Sequence, residues 1–128
     1  MAPPKNPLSV ATSALVRLVN EEMSYHRELE EQTSRLRKME AEQKAGSSNS
    51  GDDDDDGNRE FLLKQQRKVI EETKAVFPSL RQKINDAVAK LEGLVAEEGQ
   101  KGSESNVELI NAAKDAISKA KTALRESA

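Results

Sequence analysis

The chain has 128 residues, with no cysteine, one histidine, and two phenylalanines and one tyrosine as its only aromatic residues. Its 35% hydrophobic and 34% charged residues are typical of long helices that pack along narrow apolar seams. The lack of cysteine excludes disulfides and thiolate metal sites. No segment has the dense positive charge of a nucleic-acid-binding protein, and no apolar stretch is long enough to cross a membrane. The composition therefore predicts a cytosolic protein that binds other proteins and needs no cofactor.

The sequence pattern predicts a first long helix over residues 8–45. Residues 1–7 contain three prolines and predict a disordered arm. Ser9, Thr12 and Ser13 compete as the N-cap of the helix. Its seam follows steps of three and four: Leu8, Ala11, Leu15, Leu18, Glu22, Tyr25, Leu29, Gln32, Leu36 and Met39. A second row widens the apolar face in the first half only, so that half is expected to contact two neighbouring helices: Val16, Val19 and Met23.

Two polar residues interrupt this seam, and they have two explanations. Glu22 and Gln32 either lie where a third helix leaves the first uncovered, or fix the register by hydrogen bonding. Partial exposure is the favoured explanation.

Residues 46–58 predict a flexible acidic loop. They contain five consecutive aspartates and no basic residue, so like charges repel and no apolar pattern supports a helix. Asp52, Asp54 and Asp56 with Gly57 match the start of an EF-hand loop. However, Leu63 stands where the bidentate glutamate is required, so no metal site is predicted.

The second helix is predicted over residues 59–95. One row of its apolar face comprises Leu62, Val69, Thr73, Val76 and Leu80, and an adjacent row comprises Ile70, Phe77, Ile84, Ala87, Val88, Leu91 and Val95. The pattern persists across Pro78, which predicts a bend at that proline rather than two helices. A third helix over 105–126 opens with a Ser105–Glu108 capping box. These elements predict an all-α fold: an elongated antiparallel three-helix bundle over residues 8–128, with coiled-coil-like packing.

Little in this pattern predicts catalysis. His26 is the only histidine, so a catalytic triad cannot be built around a second one. It is expected to flank the seam, although phosphotransfer at a helical histidine stays as an alternative function. A basic strip on the second helix is expected to be either a solvated face or a docking surface for an acidic protein: Lys64, Arg67, Lys74 and Arg81.

A set of residues in both long helices resembles a known family. The first helix contributes Arg17-Leu18-Val19, Glu21, Tyr25, Glu28, Gln32 and the run Arg37 to Glu42; the second contributes Gln66, Ile70, Glu72, Pro78, Lys83 and Ile84. At these positions the chain resembles the tubulin-binding cofactor A family, also named tubulin-specific chaperone A. The resemblance covers residues 8–45 and 59–95, and the acidic loop looks longer than the connection usual in that family.

The resemblance implies a function in tubulin folding. It implies capture of quasi-native β-tubulin after release from the cytosolic chaperonin, for heterodimer assembly and without nucleotide hydrolysis. The implied partners are β-tubulin and other tubulin-folding cofactors, in the cytoplasm and associated with the cytoskeleton. The basic strip is then the expected docking surface for this acidic client. A helical module of a vesicle-trafficking or other cytosolic assembly is the alternative, and both a monomer and a homodimer fit the pattern.

Overall fold

The computed structural model describes the backbone of residues 6–46 and 53–126, and the side chains of residues 6–45 and 57–126. The described chain forms three α-helices and one short 3-10 helix: α1 (Pro7–Gly46), α2 (Asp53–Gly99), the 3-10 helix (Gly102–Glu104) and α3 (Val107–Glu126). No strand occurs in these ranges. The predicted all-α class is therefore confirmed.

The helices divide into two compact units. Unit I comprises Met1–Met23 and Pro78–Ala128, and unit II comprises Ser24–Phe77. Unit I contains the start of α1, the second part of α2, and α3. Its buried core draws on all three helices: Leu15, Ile84, Leu91, Ala113 and Ala120. Unit I is the three-helix bundle that the sequence predicts, and the alanines of α3 fill positions where larger side chains would hold the helices apart.

Cross-helix contacts in unit I give the direction of each helix. Near the start of this part of α2, Arg81 bonds to Leu124 at the end of α3, and further along α2, Glu98 bonds to Asn106 just before α3. The helices α2 and α3 are therefore antiparallel. One groove is lined by the first turns of α1 and by Leu109 near the start of α3, and a second groove by later residues of both helices, up to Met23 and Glu126. These two helices therefore run parallel.

Unit II is a pair of antiparallel helices formed by the rest of α1 and the first part of α2. The Gln66 side-chain amide donates to the backbone carbonyl of Gln32 at 2.9 Å. The Phe77 ring packs edge-on against Tyr25, with ring centroids 6.4 Å apart. Because higher residue numbers in α1 pair with lower numbers in α2, the two helices run in opposite directions.

The apolar row predicted along α1 is its inward face. Leu8, Leu15 and Val19 are buried, and the later members of the row are half-buried in unit II. Glu22 is only 1% exposed, so its favoured partial exposure is wrong. It follows the buried Val19 by one turn and so continues the inward face of α1. Gln32 is half-buried, as expected.

The inward face of α2 differs from the prediction in unit II. Leu63 and Ile70 are 2% and 6% exposed, whereas Leu62 and Val69 are 45% and 38% exposed. The predicted apolar face was therefore wrong at Leu62 and Val69 and lacked Leu63, whereas its members Ile70 and Thr73 are buried. Two adjacent apolar rows compete there, and a single partner helix covers only a narrow seam. In unit I, where two helices cover α2, the predicted residues are buried: Leu80, Ile84, Val88 and Leu91.

The first helix begins earlier than any of the predicted caps. The side-chain oxygen of Asn6 accepts a hydrogen bond from the Leu8 backbone N–H at 2.8 Å, and Pro7 is the first helical residue. Asparagine at the N-cap and proline at the first position are both favourable because the first amides lack intrahelical partners. The predicted arm is thus wrong at residues 6–7, and residues 1–5 lie outside the described part of the chain.

The second helix also begins earlier and ends later than predicted. It starts at Asp53 rather than Arg59 and ends at Gly99 rather than Val95. Acidic residues are favoured in the first turn of a helix because of its dipole, so the aspartate run is compatible with helix there. The predicted loop 46–58 is therefore wrong from residue 53 onward, and residues 47–52 are not described. The helix runs through Pro78 without a break, while the bend at that residue stays a prediction.

A buried carboxylate organises the connection between α2 and α3. Glu98 accepts a hydrogen bond from the Asn106 backbone N–H at 2.9 Å and one from the Lys101 ammonium at 3.1 Å. These two hydrogen bonds, the backbone one first, lower the pKa of Glu98. Gly102 lies in the same connection at φ 66°, a conformation that glycine adopts without a steric cost.

Asn106, rather than Ser105, caps α3. Its side-chain oxygen accepts from the Leu109 backbone N–H at 3.2 Å, and the helix starts at Val107. The Ser105 hydroxyl instead donates to the Gly102 carbonyl. The predicted capping box at Ser105 and Glu108 is therefore wrong, because Ser105 satisfies the preceding 3-10 turn.

Candidate functional site

The four residues of the predicted docking strip fall in both units. Lys64, Arg67 and Lys74 belong to unit II, whereas Arg81 belongs to unit I. The first three are exposed and Arg81 is half-buried. Three cations of the strip therefore lie in unit II and one in unit I.

Arg81 stabilises the end of α3. Its guanidinium donates to the backbone carbonyl of Leu124 at 3.2 Å. The last carbonyls of a helix lack intrahelical partners and carry the negative end of the helix dipole, so a cation is favourable there. An arginine held in this way is a structural element of unit I.

The remaining part of the strip carries both signs of charge. Lys74 lies 3.8 Å from the Glu71 carboxylate, and both side chains are more than half exposed, so this pair contributes little to stability. Glu60 is on the same side of α2, one turn before Lys64. Lys64 and Arg67 form no ion pair with the residues that the structure describes. They are the two cations of the strip that a partner meets without breaking an existing contact.

His26 takes part in an aromatic cluster of unit II. Its ring stacks on Phe77 with centroids 4.4 Å apart and an interplanar angle of 29°. Tyr25 meets the same phenylalanine edge-on. This arrangement gives the exposed histidine a packing contact across the two helices, beside the seam as expected.

Among the side chains that the structure describes, no group of three or more histidine, cysteine, aspartate or glutamate residues is arranged to hold a metal ion. The side chains of the aspartate run lie outside that set.

Unit I carries an open groove between α1 and α3. Its volume is about 760 Å³, and its walls come from Val16, Val19 and Met23 on one helix and from alanines such as Ala112 and Ala116 on the other. Val16 and Met23 are 41% and 51% exposed. In the predicted second row of α1, Val19 is therefore buried beside α3, as expected. The other two members, Val16 and Met23, are exposed to solvent.

Unit II carries a second exposed apolar surface, on α2. Leu62, Val69 and Val76 recur every seven residues; the first two are exposed and Val76 is half-buried. We name these three residues the open apolar row. The sequence analysis assigned them to the buried seam. The residue that the sequence analysis missed is Leu63, which lies seven residues before the buried Ile70 and continues its row.

No helix in the described part of the chain is long and apolar enough to span a membrane.

The comparison with protein families identifies the bundle. A model of the family described as tubulin binding cofactor A matches residues 3–117, which include α1, α2 and the first half of α3. The chain belongs to this family. No curated protein and no solved structure gave a significant match. The resemblance read from residues 8–45 and 59–95 is thereby confirmed, and the tubulin binding cofactor A match extends it across the acidic segment and into α3. The chain is a tubulin-binding cofactor in the general sense of its family.

Proposed function

We propose that this tubulin-binding cofactor captures quasi-native β-tubulin after chaperonin release and holds it for heterodimer assembly. The observation that carries the proposal is the family match over residues 3–117. The protein acts by binding alone, in the cytoplasm and in association with the cytoskeleton. Other tubulin-folding cofactors take the client from it.

Unit II supplies the docking surface in this proposal. Lys64 and Arg67 are exposed and form no ion pair within the described chain. Binding an acidic client there requires no contact of the bundle to be broken. Exposed charges of this kind mostly speed and orient encounter, so their effect depends on ionic strength. Lys74 contributes more weakly because Glu71 lies beside it, and Arg81 is retained for the end of α3.

Charge reversal tests the surface. The double variant Lys64→Glu, Arg67→Glu is mixed with β-tubulin freshly released from chaperonin, and the complex is followed on a native gel. We expect weaker capture, with the largest loss at low salt and helicity unchanged by circular dichroism. The matched control is Lys90→Glu, Lys114→Glu, which makes the same change in net charge at exposed positions of unit I.

Three outcomes separate the parts of the proposal. Equal capture by both double variants would remove Lys64 and Arg67 from the docking surface while leaving β-tubulin as the client. A complex with α-tubulin in place of β-tubulin would contradict the client. Dependence of capture on added nucleotide would contradict a function by binding alone.

A further inference from the structure

The side of α3 that adjoins α2 carries a row of cations in unit I. Lys114, Lys121 and Arg125 are exposed and line an open groove of about 610 Å³. The apolar side chains of this groove are Ile117 and Leu124. Steps of seven and four residues keep the three cations on one side of the helix, over about 16 Å of its length. We name them the α3 cation row.

The acidic residues of α3 lie on another side of the helix. Asp115 and Glu126 line the groove that α3 forms with α1, and Asp115 is paired with Lys119 at 3.2 Å. Glu108 shares their side, because it precedes Asp115 by seven residues. By contrast, each charged residue that lines the groove of the α3 cation row is basic, among those that the structure describes.

The adjoining side of α2 adds one carboxylate and one further cation. Glu92 lies 3.6 Å from Lys121, and both side chains are about half exposed, so this pair contributes little to stability. Arg81 is half-buried and donates to the Leu124 carbonyl. Other exposed residues on the same side of α2 as Glu92 are uncharged: Asn85, Ala89 and Ala96. Four cations thus surround the groove with one carboxylate.

Helix stability explains only part of this charge. A cation in the last turn of a helix complements its dipole, which accounts for Arg125. Arg81 already donates to a carbonyl at that end of α3. Lys114 lies in the middle of α3, beyond the reach of the dipole effect, and forms no ion pair with the residues that the structure describes. Its charge is available to a partner.

We propose that the α3 cation row docks an acidic helix of a protein partner. The helix has aspartate or glutamate at the same steps of seven and four residues, and an apolar side chain that contacts Leu124. A helix that lies alongside α3 has the same period, so its carboxylates meet successive cations of the row. The excess of cations selects an acidic occupant and orients its encounter. The net charge of −3 disfavours a nucleic acid there.

This surface goes beyond the proposed capture of β-tubulin. The docking surface for that client, at Lys64 and Arg67, belongs to unit II, whereas the α3 cation row belongs to unit I. Lys121 and Arg125 also follow the last residue of the family match, which ends at residue 117. The row is therefore a second site, for a partner other than the client.

Two synthetic helices of opposite charge test the proposal on the full chain. Each has about 18 residues, enough to span the row at about 1.5 Å per residue. One carries glutamates at steps of seven and four, and the other carries lysines at the same positions. Fluorescence anisotropy of the labelled peptides measures binding. We expect the glutamate helix to bind at least about tenfold more tightly, and its affinity to fall as salt is added.

Charge reversals locate the binding. Lys114→Glu, Arg125→Glu should weaken the glutamate helix about tenfold or more and strengthen the lysine helix. The matched control Lys83→Glu, Lys90→Glu makes the same change in net charge at exposed positions of unit I, on the side of α2 away from Glu92, and should bind like the wild type. Lys64→Glu, Arg67→Glu should also leave this binding unchanged. All of these positions are exposed, and circular dichroism checks that helicity is retained.

Several results would overturn the proposal. Equal affinity for the two helices would remove the charge complementarity, and an equal loss in the matched control would reduce it to attraction by net charge. Loss of binding in Lys64→Glu, Arg67→Glu alone would assign acidic helices to unit II. A dimer in sedimentation velocity that Lys114→Glu, Arg125→Glu dissociates would assign the row to a second copy, and binding of duplex DNA that this variant loses would assign it to a nucleic acid.

Capture of β-tubulin separates this proposal from the proposed function. Lys114→Glu, Arg125→Glu should capture β-tubulin at the wild-type level while its affinity for the glutamate helix falls. Weaker capture by that variant would make the row part of the client's docking surface and contradict a second site. Failure of the wild-type chain to capture β-tubulin would contradict the proposed function and leave the binding of the glutamate helix unaffected.

Discussion

The choice between two adjacent leucines is the sharpest test of how α2 packs. Leu63 is 2% exposed and Leu62 is 45% exposed, although both line the small groove beside Met39. The variants Leu62→Ala and Leu63→Ala remove the same atoms from two adjacent positions of α2. Because the intrinsic helix propensities are the same in both variants, the difference between them reports burial alone.

The expected magnitudes follow from these exposures. Full burial of a leucine side chain contributes about 1.5–3 kcal/mol, so the two exposures, 2% and 45%, differ by roughly 1 kcal/mol in transfer free energy. Truncation at a buried position adds a cavity term, and such changes cost about 2–5 kcal/mol. The open groove lets neighbouring side chains relax, so Leu63→Ala should cost about 2.5 kcal/mol, near the lower end of that range. Leu62→Ala should cost less than about 1 kcal/mol.

Urea unfolding followed by helical circular dichroism measures both variants. With a slope of about 1–3 kcal/mol per molar urea, the midpoint of Leu63→Ala should fall at least about 0.5 M below that of Leu62→Ala. Equal midpoints, or a lower midpoint for Leu62→Ala, would refute the register of α2. The same result would place the open apolar row in the interior of unit II.

Three further perturbations test other contacts. Asn6→Ala should lower the free energy of unfolding by about 1 kcal/mol through loss of the cap, whereas Ser9→Ala should not; thermal melts compare them. Ala120→Leu should cost about 1–3 kcal/mol because alanine is 0% exposed there, and an equally stable variant in urea would contradict the close packing of α3. Glu98→Gln should be less stable than wild type at neutral pH. Because the folded pKa of Glu98 is lowered from 4.5, the difference between the two proteins should shrink as the pH falls through that lowered pKa. A difference that persists in acid would contradict a stabilising role for the ionised Glu98 carboxylate.

The parts of the fold that the sequence predicted are those that depend on local periodicity. Three helices, the inward face of α1 and the buried residues of α2 after Leu80 follow from spacings of three and four. In these regions adjacent apolar rows merge into one face, and that face is directed toward the core. The match to the tubulin binding cofactor A family agrees with residues quoted from the same two helices.

The predictions were wrong where two adjacent residues suit the same structural position and contacts between helices select one of them. Leu62 and Leu63 are equally apolar, and only the position of α1 selects one of them. Ser105 and Asn106 both cap helices well, and the hydrogen bond from Asn106 to Glu98 favours the second. The cap at Asn6 was readable, because a proline that follows asparagine is a known helix start. The sequence analysis missed this cap because the three prolines of residues 1–7 were interpreted as a disordered arm.

The distribution of buried residues gives a physical reason why the proposed docking surface at Lys64 and Arg67 lies in unit II. Among the described residues, two of the fourteen buried apolar side chains, Leu63 and Ile70, belong to that unit. A helix pair with one narrow seam leaves most of its surface in solvent, so both sides of α2 are available for binding. The three helices of unit I bury their apolar seams against one another, and Arg81 is hydrogen-bonded to the end of α3. For a tubulin-binding cofactor this division separates two requirements, because substitutions on the exposed sides of α2 do not disturb the core that stabilises the fold.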